Sequence, residues 1–149
     1  MNERGVHRVD VIKSGSGVTV YSALHDKNGD IVHEKIPQTR TSFVELREEF
    51  SRELHVSQGF DGIYKAATNI ALLAEAYVAV RTVIDLLNNS NSEIPRDIIG
   101  TVVLFGIIAT GFLASSLQEE NIRQTSDELE ALEIAKDTTT PHFRKEFPN

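Results

Sequence analysis

Residues 98–117, IIGTVVLFGIIATGFLASSL, form an uninterrupted run without a charged side chain. The chain as a whole is not apolar, because Asp, Glu, Lys and Arg make up 25% of its 149 residues. At about 1.5 Å of rise per residue, a helix as long as this run covers roughly 30 Å, which matches the hydrocarbon thickness of a bilayer. The run therefore predicts either a membrane span or a helix that is buried on every side.

Two interpretations of this run remain open. In the first, residues 98–117 cross a membrane, because a chain of this length has few elements with which to surround a fully apolar helix. In the second, they form the core helix of a soluble α+β homo-oligomer that acts as a scaffold or structural subunit. The preceding helical segment, residues 63–87, carries charges that suit an outer helix better than a span, which favours the second interpretation.

Composition excludes several classes of protein. The formal net charge of −7 argues against nucleic-acid binding, which requires clustered Lys and Arg to contact phosphates. The chain has no cysteine, so it has neither disulfides nor thiolate metal sites. We predict no cofactor.

The N-terminal part of the chain favours strands. Residues 5–36 contain three groups of β-branched residues that are separated by turn residues, which predicts an antiparallel three-stranded meander. The first turn falls at residues 14–17, SGSG. The pair Asn28 and Gly29 is typical of a type I′ hairpin turn and predicts the second.

A covering helix is expected to follow the meander. Ser42 and Glu45 have the spacing of a capping box, and apolar residues then recur every three or four positions up to Leu54. Gly59 and Gly62 are expected to interrupt this helix. The first predicted domain, residues 1–58, is therefore a meander with an amphipathic helix.

The second predicted domain, residues 59–118, is an antiparallel helical hairpin with arms at 63–87 and 97–118, joined by the polar loop NNSNSEIPRD. The third, residues 119–149, begins as an acidic helical extension, with seven acidic and two basic residues between 119 and 137. Its last dozen residues are predicted to be a flexible tail. The predicted fold class is α+β.

Glu75 and Arg81 are the charges of greatest interest in the first arm. On a helical wheel they share one side with Thr82 and Asp85, and the large apolar residues take the other side. In a span, Glu75 lies near the bilayer centre, where an ionisable group is costly and usually faces a partner or water. In a soluble or interfacial helix the same residues form an ordinary solvated face.

Small residues recur along the second arm. Gly100, Gly106, Gly111 and Ser115 would let helix backbones approach closely, and Gly111 and Ser115 have the small-xxx-small spacing. We therefore expect a helix–helix interface here and self-association into a homo-oligomer. The pattern is common in apolar helices that contain Gly, so its specificity is weak.

Neither a catalytic nor a metal site is predicted. His25 and His33 flank the second hairpin turn, but with Asn28 and Gly29 as the turn His25 would pair with Val32, so alternation separates the two imidazoles. The spacing of the sequence does not pair a nucleophile with a base, and an enzyme is not expected.

The first interpretation predicts a small integral membrane protein. Its hairpin would oligomerise and, through Glu75 and Arg81, perturb the membrane or conduct ions, while the β-rich segment would sense a ligand or bind a protein partner. Arg96 is the only basic residue in the loop, so the positive-inside rule places both termini in the cytoplasm when both arms span. The second interpretation predicts a soluble cytoplasmic protein.

Overall fold

The computed structural model describes residues 5–87 and 94–148. Their contacts divide the chain into two compact units. The strand unit contains residues 5–56 and 121–148, and the helical unit contains residues 57–87 and 94–120. The acidic segment that follows residue 120 thus belongs to the same unit as the N-terminal strands. The fold is α+β, as predicted from the sequence.

The described part of the strand unit contains five strands. They are β1 (Val6–Ser14), β2 (Gly17–His25), β3 (Ile31–Glu34), β4 (Gln38–Arg40) and β5 (His142–Pro148). They form one sheet with the order β3-β2-β1-β5, in which β4 also pairs with β2, and all these pairings are antiparallel. The predicted meander is confirmed, since β1, β2 and β3 are consecutive neighbours.

The second hairpin turn differs from the predicted type I′ turn. The amide of Gly29 donates to the carbonyl of Asp26 at 3.1 Å, and Gly29 has a φ of 88°. This is a turn over residues 26–29 with a left-handed residue at its end, and the Asp26 carboxylate accepts from the Asn28 amide at 2.8 Å. A bulge then pairs His25 with Ile31, so the predicted pairing with Val32 is wrong.

The predicted flexible tail is wrong, because His142–Pro148 forms β5 and pairs with β1 from Ile12 to Val6. The sequence did not reveal this strand because charged residues interrupt the alternation of apolar and polar side chains in β5. Phe143 and Phe147 share one face of the strand, and Phe147 is buried in the core with 9% exposure. Arg144 and Glu146 lie on the other face, and Lys145 shares the face of the two rings with its ammonium group 4.8 Å from the centre of the Phe147 ring.

Two long helices complete the described chain, α1 (Phe43–Leu87) and α2 (Ile94–Asp137), and they form a hairpin-like pair. The predicted N-cap is confirmed, since the Glu45 amide donates to Ser42 Oγ at 3.3 Å. The Glu45 carboxylate accepts from the Thr41 amide at 3.2 Å, one residue before the Ser42 amide that a capping box would use. The predicted interruption at Gly59 and Gly62 is wrong. A helical Gly costs about 1 kcal/mol relative to Ala, which a 45-residue helix can absorb.

The core of the strand unit is formed by one face of the sheet and the helix segments of that unit. Val9 and Val11 of β1 are fully buried, as are Leu46 of α1 and Ala131 of α2. Covering the sheet with helices in this way removes its apolar face from water. The buried cluster contains Val9, Val11, Val18, Val20, Leu46, Phe50, Ala131, Leu132, Ala135 and Phe147.

Candidate functional site: the seam of the helical hairpin

Small and polar side chains fill the seam between α1 and α2 in the helical unit. Thr68 and Ala71 of α1 are 5% and 3% exposed, and Ser115 of α2 is 8% exposed. Gly111 is also buried. Ile108, at 9%, is the one large apolar side chain among the buried residues described for this unit. A water-soluble helix pair normally buries its large apolar residues instead.

The two helices are in close contact at Gly111. A Cβ atom placed on Gly111 would collide with Oγ1 of Thr68 and lie 3.3 Å from its Cβ. Rotating the Thr68 side chain away from Gly111 would break a hydrogen bond, because its hydroxyl donates to the carbonyl of Tyr64 at 2.8 Å. Gly111 is therefore required for this packing, which is a contact within one chain.

Ser115 extends the seam into a charged cluster. Its hydroxyl donates to Asp61 Oδ1 at 2.7 Å. Lys65 Nζ lies 2.7 Å from Asp61 Oδ2 and 2.8 Å from Glu119 Oε1, so it joins both helices. The cluster has two carboxylates and one ammonium group, which leaves a net charge of −1.

Gly100 and Gly106 lie differently from Gly111. A Cβ atom added to either residue would meet nothing within 4 Å among the described residues. Gly106 is exposed and Gly100 is half-buried. Of the four predicted interface residues, Gly111 and Ser115 thus lie in the seam between α1 and α2, and Gly106 faces away from it.

Glu75 and Arg81 are both half-buried. Glu75 Oε2 is inaccessible to solvent and has no hydrogen-bond partner among the residues that the structure describes. This atom of Glu75 therefore does not lie on an ordinary solvated face, which was the alternative expected from the sequence. Glu75, Arg81 and Thr82, which the wheel placed on one side of α1, are all half-buried, so the polar side turns inward at these three positions.

The apolar sides of both helices point outward. Leu73 of α1 is 74% exposed and Leu113 of α2 is 70% exposed. Both helices are long and apolar enough to cross a membrane, and only 11% and 17% of their most apolar windows are buried. The other large apolar residues exposed in this unit are Phe60, Ile63, Ile70, Leu72, Tyr77, Val80, Val83, Ile84, Leu87, Ile98, Ile99, Val102, Val103, Phe105, Ile107, Phe112 and Leu117.

The strand unit holds a second polar constellation that the sequence analysis missed. His7 Nδ1 donates to Asp127 Oδ2 at 2.7 Å, since a carboxylate can only accept. His7 Nε2 lies 2.7 Å from Ser22 Oγ. His7 is 1% exposed and Ser22 is 5% exposed, so the bonds are shielded from water. The alternation of His7 with Val9 and Val11 on one face of β1 was the available signal.

Glu128 and Lys35 lie in the same buried region. Lys35 Nζ is 3.2 Å from Glu128 Oε2 and 3.6 Å from Glu53 Oε1, and it donates to Thr125 Oγ1 at 3.3 Å. Burial raises the pKa of Glu128, although the charge of Lys35 opposes this effect. Glu128 Oε1 is buried without a hydrogen-bond partner among the described residues. These groups link the helices of the unit to its sheet.

The order Ser22, His7, Asp127 is that of a nucleophile, a base and an orienting acid. Catalysis would also require the Ser22 hydroxyl to reach a substrate, and its 5% exposure does not provide this access. A structural role fits the burial better, because satisfied polar networks hold elements in one arrangement.

Comparison with protein-family models, curated proteins and solved structures finds no significant match.

Proposed function

We propose that this chain is a small integral membrane protein whose helical unit is a hairpin with both arms in the bilayer. The strand unit acts as a sensing or partner-binding module outside the membrane. The protein works by assembly and not by catalysis. The alternative is a soluble homo-oligomer in which other copies cover residues 98–117.

This proposal rests on the distribution of side chains in the helical unit, where small and polar residues are buried and large apolar residues are exposed. Removing a large apolar side chain from water is worth about 1.5–3 kcal/mol, so the outward surface corresponds to tens of kcal/mol. In lipid, helices associate instead through small residues and polar contacts, which are what the seam contains. Lipid on the outside and Gly111, Thr68 and Ser115 on the inside satisfy both requirements.

Self-association would use the face that α1 leaves open. Gly106 and Thr110 are both exposed and four residues apart, which is the small-xxx-small spacing. The Thr110 hydroxyl donates to the Gly106 carbonyl at 2.8 Å, so burying it against another helix leaves no unsatisfied donor. A second copy of the hairpin fits this face, whereas Gly111 and Ser115 are already occupied by α1.

Glu75 is the residue through which an assembled protein would perturb the membrane or conduct ions. Its buried Oε2 atom lacks a partner among the described residues. An ionisable group at such a depth costs about 2.5–3.5 kcal/mol by insertion scales, and such groups usually mark a polar pathway or a contact. Replacing Glu75 by Gln should abolish any ion leakage caused by the protein, while Arg81 variants should alter it.

The strand unit offers a surface for the proposed protein partner or ligand. Among the described residues β3 pairs with β2, and its Ile31 and Val32 side chains are 58% and 65% exposed. Ile36, just beyond β3, is 88% exposed. Edge strands with apolar side chains can accept an extended segment of another chain. The positive-inside rule places this unit and both termini in the cytoplasm.

Membrane fractionation tests the proposal. The full-length chain is expected to remain in the membrane pellet through an alkaline-carbonate wash and to be released by detergent. Recovery in the soluble fraction would reject the membrane interpretation and favour the soluble oligomer. Release by the carbonate wash would instead indicate peripheral attachment, which is incompatible with spanning arms.

A further inference from the structure

A groove with a volume of about 480 Å³ lies between α1 and α2 at one end of the apolar surface. Gly111, Ser115 and Ser116 line it on α2, and Thr68 and Asn69 line it on α1. The short side chains of the two serines leave the space, because Gly111 is in close contact with Thr68. Phe112 forms an apolar wall and is 61% exposed. The groove therefore continues into the surface that we assign to lipid.

Charged groups form the opposite end of this groove. Lys65 and Glu119 both line it, and their side chains are 51% and 60% exposed. Together with Asp61, which also contacts Lys65, they carry a net charge of −1. The cluster can thus accept one further cation, while the Lys65 ammonium group remains close enough to contact an anion.

An aromatic pair marks the level of the membrane surface. The rings of Phe60 and Tyr64 stack with centroids 6.5 Å apart, one turn or less from Asp61 and Lys65. Tyr is enriched where membranes meet water, because its ring is apolar and its hydroxyl is polar. On this basis the charged rim lies at the depth of lipid headgroups and Phe112 lies toward the acyl chains.

We propose that this groove binds the headgroup of an aminophospholipid, such as phosphatidylethanolamine. The ammonium group of the lipid would contact Glu119, its phosphate would contact Lys65, and an acyl chain would pack along Phe112. A primary ammonium group supplies three hydrogen-bond donors, whereas choline has none. The net charge of −1 disfavours lipids that are only anionic. This inference rests on the proposed membrane function.

Native mass spectrometry of the full-length chain in nanodiscs tests the inference. The discs contain equal amounts of phosphatidylethanolamine, phosphatidylcholine and phosphatidylglycerol, and the lipids retained on the ejected protein are counted. We expect phosphatidylethanolamine to be enriched about two- to fivefold over the bulk, the range that one partly exposed ion pair supplies.

Two variants and one control locate the binding site. Glu119→Gln removes the proposed ammonium contact, and Ser116→Leu fills the groove without changing charge; each should return the lipid ratio to that of the bulk. Glu133→Gln is the matched control, because Glu133 is also a residue of α2, is also 60% exposed and is paired with Arg47 of α1 at 3.1 Å. It should leave the enrichment unchanged.

Each other outcome overturns a defined part of the account. Preference for phosphatidylglycerol would show that Lys65 selects phosphate alone, which contradicts the inference. Equal retention of all three lipids by an inserted protein would reject the binding site and leave the membrane proposal standing. Failure of the chain to enter nanodiscs, together with its recovery as a soluble protein, would reject both.

Discussion

The close contact between Gly111 and Thr68 makes a quantitative prediction for the hairpin. Gly111→Ala places a methyl group against Oγ1 of Thr68, whereas Gly106→Ala places the same group where the described residues leave open space. Both variants gain the same intrinsic helix propensity, about 0.8–1.0 kcal/mol. In nanodiscs that hold one copy each, Gly106 meets no second hairpin, so the difference between the two free energies of unfolding isolates the contact.

The magnitude follows from the cost of overpacking, about 1–3 kcal/mol for an added methyl group in a well-packed site. Gly106→Ala should stabilise the hairpin by about 1 kcal/mol, and Gly111→Ala should be about 1–3 kcal/mol less stable than Gly106→Ala. Thr68→Ala removes Oγ1 and leaves only its Cβ at 3.3 Å. The double variant Gly111→Ala/Thr68→Ala should recover most of the loss, with a coupling energy of about 1–3 kcal/mol.

Unfolding of the helical unit can be followed with attached fluorophores, since the chain has no native cysteine. Donor and acceptor are placed at Ile70→Cys and Val102→Cys, which are 68% and 67% exposed and outside the seam. Energy transfer is then measured during denaturation of the full-length protein in nanodiscs. Equal stabilisation by Gly111→Ala and Gly106→Ala, with no coupling to Thr68, would refute the assigned packing.

Three further changes are predicted. Ser115→Ala should destabilise the hairpin by about 1 kcal/mol in the same assay, because it removes the hydrogen bond to Asp61, whereas Ser116→Ala should stay within about 0.5 kcal/mol. Phe147→Ala should destabilise the strand unit by about 3 kcal/mol in urea, since it empties a core position; an unchanged midpoint would mean that β5 does not pack there. Burial raises the pKa of Glu128 above 4.5 in the folded state. The contribution of Glu128 to the free energy of unfolding is therefore fully present below pH 4.5 and is lost as the pH rises through the folded pKa. Glu128→Gln should remove this loss, while Glu133→Gln should leave the pH dependence of urea unfolding as it is in the wild type.

Much of the strand unit could be predicted from local pattern. Alternating Val residues and the turn at residues 14–17 specify the meander, and Ser42 marks the start of α1. The strand β5 was missed because HFRKEFP has only two strong apolar residues, and its partner β1 lies more than 120 residues earlier in the chain. Pairing over such a distance depends on tertiary structure and leaves little local signal.

The seam shows a different limit of sequence analysis. Helical periodicity correctly separated Leu73 and Val80 from Glu75 and Thr82, but it does not say which side meets α2. That choice depends on the solvent, because water and lipid favour opposite sides. Burial of Glu75 Oε2 and exposure of Leu73 decide it in the structure. The buried network around His7 was accessible from alternation, although its partner Asp127 was not.

Spin-label accessibility distinguishes lipid from water at the outward surface of the helical unit. Labels at Leu73→Cys and Phe105→Cys in the full-length protein are compared for collisions with oxygen, which concentrates in lipid, and with a polar nickel complex, which stays in water. Phe105 is 68% exposed and lies off the helix face that Gly106 and Thr110 share. A label at Glu48→Cys, an exposed position of the strand unit, is the aqueous reference. If lipid covers this surface, oxygen collisions are frequent and nickel collisions are rare at both outward positions. Frequent nickel collisions there would place them in water, and low accessibility to both reagents would place them in a protein interface; either result would contradict the account.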